Sequence, residues 1–427
     1  MEHQAILALA IFLITYAMII AEKIHRTIVA MLGGLLVVAL GIVSVDSAIV
    51  HHIDFNTLGL LIGMMIIVSV TAKTGLFSYI AVVAAKRAKG EPVKILIALS
   101  VVTAVASAFL DNVTTVLLIV PVTFSITRQL KVHPFPFLFS QILASNIGGT
   151  ATLIGDPPNI MIGSAVKELT FMAFIDNLAP IAIIIMAVHL PLFVLLFRKK
   201  LKTSEEYKRG IMEMDESKLI TDRPMLTRCL IILGLTIAGF FLHQALHLES
   251  SVVALAGAFL LLLLAGEHAM EEAFTRVEWT TIFFFIGLFT LVGALVDTGI
   301  VRDLAVQAID LTGGNVAASA MLILWMSAIA SAFMDNIPFV ATMIPLIQEM
   351  GNMGVSNLEP LWWSLALGAC LGGNGTLIGA SANLITAGLA AKEGYPITFV
   401  KFLKYGFPLM ILSIVISSVY IYLRYLL

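Results

Sequence analysis

Ala106-Ser-Ala-Phe-Leu-Asp-Asn112 and Ala330-Ser-Ala-Phe-Met-Asp-Asn336 are two copies of one heptapeptide that differ at a single position. The same offset of 224 residues superimposes Pro121 on Pro345 and Thr152-Leu-Ile-Gly155 on Thr376-Leu-Ile-Gly379. It also pairs Gly148-Gly149 with Gly372-Gly373, Asn159 with Asn383, and Thr74-Gly75 with Thr298-Gly299. Repeated matches at one ungapped offset indicate an internal duplication. We therefore predict two related halves, 22–197 and 229–427, an additional first helix, 1–21, and a linker, 198–228.

The composition around these repeats is that of a membrane protein. Of the 427 residues, 59% are hydrophobic and 12% charged, against about 25% charged in soluble domains. The net charge of −2 leaves no basic surface for nucleic acid. Two cysteines cannot form a closed thiolate metal site, and no GxxxxGK[ST], HExxH or nucleophile–base pair occurs. We expect neither an enzyme nor a bound cofactor.

Apolar runs long enough to cross a bilayer recur along the chain. They predict an all-α polytopic protein with about ten membrane helices, near 4–21, 27–45, 56–72, 135–167, 178–197, 229–246, 251–266, 279–296, 361–390 and 405–424. Two further segments, 94–128 and 318–348, are split at the centre by Asp-Asn, and we expect them to be re-entrant hairpins. Two short complete crossings each are the alternative.

The distribution of basic residues predicts the orientation. With both termini outside, only Lys167, Arg302 and Arg424 of the 25 Lys and Arg residues fall on the outer side. The linker, with nine basic and six acidic residues, is then cytoplasmic. An odd number of crossings separates each helix from its partner, so the repeats are inverted. Inverted repeats with broken helices that meet at mid-membrane are typical of secondary transporters.

The hairpin tips carry the first group of candidate site residues, namely Asp111, Asn112, Thr114, Thr115, Asp335 and Asn336. A carboxylate at mid-membrane is costly unless it is paired, protonated or hydrated. Asp111 and Asp335 are therefore candidate proton carriers or cation ligands. The alternative is that they cap helices, since Asp and Asn are preferred at helix starts. Both roles are compatible.

The second group lies in the two interrupted helices, where paired glycines and Pro157-Pro158 interrupt the helical pattern. Freed backbone groups and neutral polar side chains there are expected to bind the solute, and the candidates are Asn146, Gly148, Gly149, Thr150, Thr152, Asn159, Gly372, Gly373, Asn374, Thr376 and Asn383. Close helix packing is the alternative role for the glycines. Asp156, whose counterpart is Ala380, is a third candidate proton carrier, with a cap or an ion pair as the alternative.

These motifs resemble the ion transporter superfamily, in the group of ArsB-type arsenite pumps, NhaD-type sodium/proton antiporters and the melanosomal P protein. The resemblance rests on Glu22-Lys-Ile-His-Arg-Thr27, Asp111-Asn-Val-Thr-Thr115, Asn146 to Asn159, Asp335-Asn-Ile-Pro338 and Gly372-Gly-Asn-Gly-Thr376. It implies a scaffold set of helices and a transport set that holds both hairpins and both broken helices. It leaves open a homodimer and a soluble ATPase that docks on the linker.

Three substrates follow from these residues and the resemblance. Proton-coupled efflux of arsenite or antimonite ranks first, because neutral hydrogen-bonding groups suit uncharged arsenous acid. A sodium/proton antiporter is the alternative, since Asp111, Asp156 and Asp335 offer hard oxygen ligands. An organic or inorganic anion carrier ranks last, because we expect no Lys, Arg or His at mid-membrane. The expected location is a bacterial inner membrane.

Overall fold

The computed structural model describes residues 2–21, 23–243 and 245–427, so Glu22 of the motif after the first helix lies outside the described residues. Every regular element in these ranges is helical. The first half contains ten α-helices: α1 (Glu2–Ala21), α2 (Arg26–Ala39), α3 (Val45–Ser47), α4 (Phe55–Lys73), α5 (Leu76–Arg87), α6 (Pro92–Phe109), α7 (Asn112–Gln129), α8 (Phe135–Thr150), α9 (Pro157–Ala165) and α10 (Phe171–Phe197).

The second half repeats this order after the short linker helix α11 (Glu205–Met212). Its helices are α12 (Arg223–Leu242), α13 (Ser250–Ala265), α14 (Glu267–Arg276), α15 (Trp279–Asp297), α16 (Ile300–Thr312), α17 (Val316–Phe333), α18 (Asn336–Asn352), α19 (Glu359–Gly372), α20 (Ser381–Lys392) and α21 (Phe399–Ile421). Both ends of α4 and α6 lie 224 residues before those of α15 and α17. Because α12 matches α1 in position, the second half has a counterpart of the helix that the sequence analysis set apart. The four-part division itself stays a prediction.

The two halves run in opposite directions through the molecule. The C-terminal end of α4 contacts the linker, where the Thr221 hydroxyl donates to the Lys73 carbonyl at 2.8 Å, and Lys73 pairs with Glu272 of α14. Helix α15, the counterpart of α4, begins directly after α14 and therefore on this same side. Helices α4 and α15 consequently run antiparallel, which confirms the inverted repeat. We call this face the linker side.

Hydropathy and position together account for ten crossings. Eight described helices are long and apolar enough to span a membrane. Six of them are full crossings (α1, α4, α10, α12, α15, α21), and α6 and α17 are the first arms of the hairpins. The shorter apolar helices α2 and α13 add two crossings, and the broken pairs α8/α9 and α19/α20 add two more. The predicted all-α architecture is confirmed.

The helices form two sets that meet around the broken helices. In the first set, α2 packs on α15 and α4 on α13, with α1 and α12 alongside; we call these the scaffold helices. In the second set, α6 packs on α8, α17 on α19, α7 on α20 and α9 on α18; we call these the transport helices. The hairpins enter from opposite sides, and both tips reach the breaks at 151–156 and 373–380. Each hairpin is therefore re-entrant.

The linker is packed against the helices of the linker side. Lys208 pairs with Glu91 at 2.7 Å, at the start of α6, and the Thr203 hydroxyl donates to the Leu130 carbonyl after α7. Lys86 of α5 hydrogen-bonds Glu216 and holds the pKa of that carboxyl below its usual value. The linker thus contacts both ends of the first hairpin.

Candidate functional site

The aspartates of the two hairpin tips cap the helices that follow them. Asp111 accepts the backbone N–H of Thr114 at 2.8 Å and the hydroxyl of the same residue. Asp335 accepts the backbone N–H of Ile337 at 3.1 Å. An aspartate before a helix satisfies N–H groups that have no partner within the helix. The capping role is therefore present at both tips, alongside any role toward a solute.

A chain of asparagine side chains joins the two halves at the centre. The Asn112 amide donates to the Asn146 side-chain oxygen at 3.1 Å. Asn146 in turn donates to the side-chain oxygens of Asn374 at 2.9 Å and Asn383 at 3.1 Å. All four side chains are buried, and the Asn374 amide nitrogen has no partner among the described residues. These four predicted residues, from opposite ends of the sequence, therefore form one cluster.

Other predicted residues satisfy the backbone that the helix breaks expose. Asn159 donates to the carbonyls of Thr152 at 2.8 Å and Thr150 at 3.1 Å. Asn383 donates in the same way to the carbonyls of Gly373 at 2.7 Å and Thr376 at 2.9 Å. The hydroxyls of Thr152, Thr376 and Thr150 donate to the carbonyls of Ala108, Ala332 and Asn146. Buried carbonyls need such partners in a membrane, so these contacts hold the breaks in shape.

The paired glycines permit close packing between helices. A Cβ on Gly148 would lie 2.1 Å from the Ala104 carbonyl oxygen of α6, and one on Gly372 would lie 2.5 Å from that of Ala328 in α17. Gly149 approaches the Gly155 carbonyl and Gly373 that of Gly379. None of these four glycines lines the cavity that the next paragraph describes. The structure thus shows the packing role, and the assignment of the glycines to the substrate site stays a prediction.

A cavity of about 220 Å³ opens beside the tips toward the linker side. Its floor consists of buried polar residues, Asn112, Asp156 and Asn336, together with the partly buried Asp111. Its mouth includes the exposed residues His25 and Thr280 at the starts of α2 and α15. Glu278, which precedes α15, also lines the cavity. Three carboxylates therefore face one small space that is continuous with the surface.

Asp156 is the most deeply buried of these carboxylates, with 1% of its surface exposed. One oxygen accepts the Asn336 amide at 3.3 Å, and the other has no partner among the described residues. The residue lies directly before α9 but its side chain makes no cap hydrogen bond there. Neither the cap nor the ion pair that the sequence left open as alternatives is formed by the described residues. An unpaired buried oxygen next to a cavity is a candidate proton or cation site.

Two charged residues of the site were not predicted from the sequence. Arg26 reaches the second tip, where its guanidinium lies 2.5 Å from an Asp335 carboxylate oxygen, so the expectation of no cation at this depth was wrong. Glu278 was likewise missed. Both residues lie at the ends of apolar runs, where charges are usually solvated. The available signals were the arginine in the motif after the first helix and the acid two residues after the surface helix α14.

The family model for CitMHS, described as a citrate transporter, matches residues 16–368 of this chain. An uncharacterized transporter of Mycobacterium tuberculosis is 44% identical over 99% of both chains. A 46 kDa membrane protein of Mycobacterium leprae is 41% identical over 99% of both chains. The mouse P protein is 36% identical over all of this chain, which spans 61% of the P protein's length.

One solved structure supports the fold independently of sequence. The crystal structure of the YdaH transporter of Alcanivorax borkumensis, which was reported to have an unusual topology, matches with a TM-score of 0.61 at 14% identity. The match covers 98% of this chain and 97% of the YdaH chain. The resemblance to the ion transporter superfamily is confirmed by these comparisons. This chain belongs to the CitMHS family of secondary transporters, within the ion transporter superfamily.

Proposed function

We propose that this protein exchanges protons for a small inorganic solute through the cavity beside the hairpin tips, with Asp156 as the central proton carrier. The observation that carries the proposal is the buried Asp156 oxygen without a partner, at the floor of a space open to the linker side. An unpaired carboxylate at this depth is stable when it binds a proton or a cation. Binding one in exchange for the other is the chemistry of an antiporter.

A small cation such as sodium is the substrate that the charges favour. Asp111, Asp156 and Glu278 line the cavity, while its one guanidinium, that of Arg26, is already paired with Asp335. The lining therefore offers three carboxyl groups and no unpaired guanidinium. Carboxylate, amide and hydroxyl oxygens are ligands that hard cations prefer. We accordingly propose sodium/proton antiport as the leading activity.

Arsenite or antimonite efflux is the second candidate, and a different observation favours it. The asparagine cluster of Asn112, Asn146, Asn374 and Asn383 is neutral and retains an unpaired amide donor on Asn374. Arsenous acid is mainly uncharged at neutral pH and offers hydroxyl groups to such donors. Thiolate capture is not part of this proposal, because Cys370 is the one cysteine near the site and both cysteines are buried.

Citrate, the solute in the family's description, fits the charges less well. A polycarboxylate would enter a cavity lined by three acids and one arginine that Asp335 already neutralises. Like charges in a space of low dielectric repel strongly. Citrate transport by this chain would require Asp111, Asp156 and Glu278 to be neutral together.

We further propose that the linker side faces the cytoplasm of a bacterial inner membrane and that both termini lie outside. The basic residues support this orientation, because the linker and the neighbouring loops hold most of them. The cavity is then open to the cytoplasm. A homodimer and a soluble ATPase on the linker remain proposals from the resemblance alone.

The experiment is flux in proteoliposomes with an imposed pH gradient. Sodium, arsenite and citrate are followed separately for the parent protein and for Asp156→Asn and Asp111→Asn. In the parent protein we expect sodium to be transported in the direction opposite to the protons. In Asp156→Asn the sodium flux should fall by at least about tenfold, since a neutral amide cannot carry a proton. Asp310→Asn, an exposed acid on α16, is the matched control and should keep the parent flux.

Each result decides between the proposals. Proton-driven arsenite flux in sodium-free buffer would replace sodium by arsenite as the substrate. Citrate flux alone would overturn both inorganic substrates. Flux that is unchanged in Asp156→Asn would remove Asp156 from the mechanism and leave it as a structural residue.

A further inference from the structure

The ion pair between Arg26 and Asp335 connects the scaffold helices to the transport helices. Arg26 begins α2, which packs on α15, and Asp335 forms the tip between α17 and α18. The guanidinium lies over the Phe284 ring of α15, with 5.0 Å between the guanidinium carbon and the ring centroid. On the transport side, the Ser381 hydroxyl of α20 also donates to Asp335 at 2.8 Å. One buried carboxylate is thus held by a residue from each set.

This pair is not needed to build a hairpin tip. Asp111, the counterpart of Asp335 in the first half, caps α7 with the aid of Thr114, and no described basic side chain pairs with it. Ser250 is the counterpart of Arg26, so the second half has no equivalent cation. Since both tips have the same fold, capping does not explain why only one of them binds an arginine.

Asp335 is also the less accessible partner. Its side chain is 9% exposed, against 27% for Arg26, which lines the cavity. If the tip moved away from α2, Asp335 would be left as a buried charge without its counter-ion, and that arrangement is strongly disfavoured. A proton or a bound cation on Asp335 removes this obstacle. The Arg26–Asp335 ion pair, called the tie below, therefore opposes movement of the hairpin tip more strongly when the site is empty than when it is occupied.

We infer that Arg26 is a positioning residue that holds the empty transporter in the linker-open state through Asp335, and that a proton or cation on Asp335 releases it. This inference rests on the proposed function, because it assigns the coupling step of the same site. It gives a physical reason why an unloaded transporter does not cycle and dissipate the gradient. The charge on one side chain thereby controls which states the two helix sets can adopt.

Other titratable groups lie near the Arg26–Asp335 ion pair and enter the test. Asp111 of the first tip, Asp156 of the first break and Glu278 before α15 line the same cavity as Arg26. His25, next to Arg26, lies at the mouth. Since each of these groups also responds to pH, the experiment compares variants at a single pH.

The experiment measures the alkylation rate of an Ile385→Cys reporter in detergent, with no transported solute present. Ile385 of α20 is partly buried and lines both this cavity and an apolar crevice beside Asp335. In the parent protein the Arg26–Asp335 ion pair should keep the reporter accessible. Arg26→Gln should slow its alkylation about two- to threefold, as expected when a dominant state becomes one of two or three equal states. Asp335→Asn, which removes the charge as a bound proton would, should slow the alkylation by a similar factor.

Three controls separate the tie from a general loss of structure. Rates are normalised to a Ser204→Cys reporter on the exposed linker, outside the cavity. Arg26→Lys keeps the charge and should stay close to the parent rate, whereas the Arg26→Gln/Asp335→Asn double variant should be no slower than either single variant. Lys73→Gln removes the surface ion pair between Lys73 and Glu272. The reporter in this variant should be alkylated at the parent rate.

An Arg26→Gln protein or an Asp335→Asn protein whose reporter is alkylated as fast as that of the parent would overturn the inference. Because no solute is moved, these results are independent of whether sodium, arsenite or citrate is the substrate. If the flux experiment fails and this one succeeds, the role proposed for the Arg26–Asp335 ion pair stands and only the transported solute changes.

Discussion

At the scale of single residues, two asparagines perform the same task in the two halves. Asn159 and Asn383 each donate to carbonyl groups that the helix breaks leave without a helical partner. Both side chains are fully buried, and both lie in the first turn of the helix that follows the break. The asparagine at this offset is therefore explained by the break itself, before any contact with a solute is considered.

Asn159→Ala should destabilise the protein without moving the charges of the cavity. The substitution leaves the carbonyls of Thr150 and Thr152 buried and unpaired, which costs about 1–3 kcal/mol for each unsatisfied group. We expect a lower free energy of unfolding in mixed micelles. Asn352→Ala, an exposed asparagine at the end of α18, is the control and should change it by less than about 0.5 kcal/mol. A stable Asn159→Ala protein with impaired flux would instead place Asn159 in the solute site.

At the scale of elements, the broken helices pack closely against the hairpins. Gly148 of α8 approaches the backbone of α6, and Gly372 of α19 approaches that of α17 at the equivalent place. Any side chain would meet backbone atoms, which cannot move aside as a flexible side chain can. The glycines thus bring each tip to its break, and this places Asn112 within reach of Asn146.

Gly148→Ala should separate α6 from α8 and cost several kcal/mol, because the added methyl group would overlap the Ala104 backbone. We expect a loss of the monodisperse protein in size-exclusion chromatography after mild heating. Gly388→Ala in α20 is the matched control, since a Cβ there has no neighbour within 4 Å. It should be neutral or more stable by up to about 1 kcal/mol. Equal behaviour of the two variants would contradict the packing role.

The elements were the most predictable part of this molecule, and the site was only partly so. Hydropathy and the repeat offset depend on local sequence, and they correctly gave the hairpins around Asp111 and Asp335 and both broken helices. The pairing of Arg26 with Asp335 joins residues 309 positions apart, and no local pattern encodes such a contact. Glu278 was missed for the same reason, since an acid at a helix start is normally a solvated cap. The positions of Arg26 and Glu278 in the site both depend on how the scaffold helices pack against the transport helices.

At the scale of the whole molecule, the two faces of the inverted repeat are in different states. On the face away from the linker, Asn56 of α4 donates to Ser164 of α9 at 3.0 Å, so scaffold and transport helices touch there. Their counterparts on the linker side are Thr280 of α15 and Gly388 of α20. Both are exposed, and Gly388 has open space where a side chain would be. The scaffold and transport helices are therefore in contact at Asn56 and Ser164 on one face and apart at Thr280 and Gly388 on the other.

Inverted repeats allow the second state to be derived from the first by exchange of equivalent contacts. In that state Thr280 and Gly388 should approach each other as Asn56 and Ser164 do now, while the latter pair separates. A short, cleavable bifunctional thiol reagent should therefore join Asn56→Cys to Ser164→Cys in the resting protein. It should join Thr280→Cys to Gly388→Cys only when a pH gradient and a solute drive turnover.

Both cross-links should abolish flux in proteoliposomes, because each prevents one of the two states, and cleavage of the reagent should restore it. Single-cysteine variants treated with the same reagent are the controls, together with the parent, whose Cys229 and Cys370 are both buried. Rapid joining of positions 280 and 388 without turnover would mean that the linker face already closes at rest. Flux that continues with positions 56 and 164 joined would show that the scaffold and transport helices do not move apart on that face, and alternating access would then need another hinge.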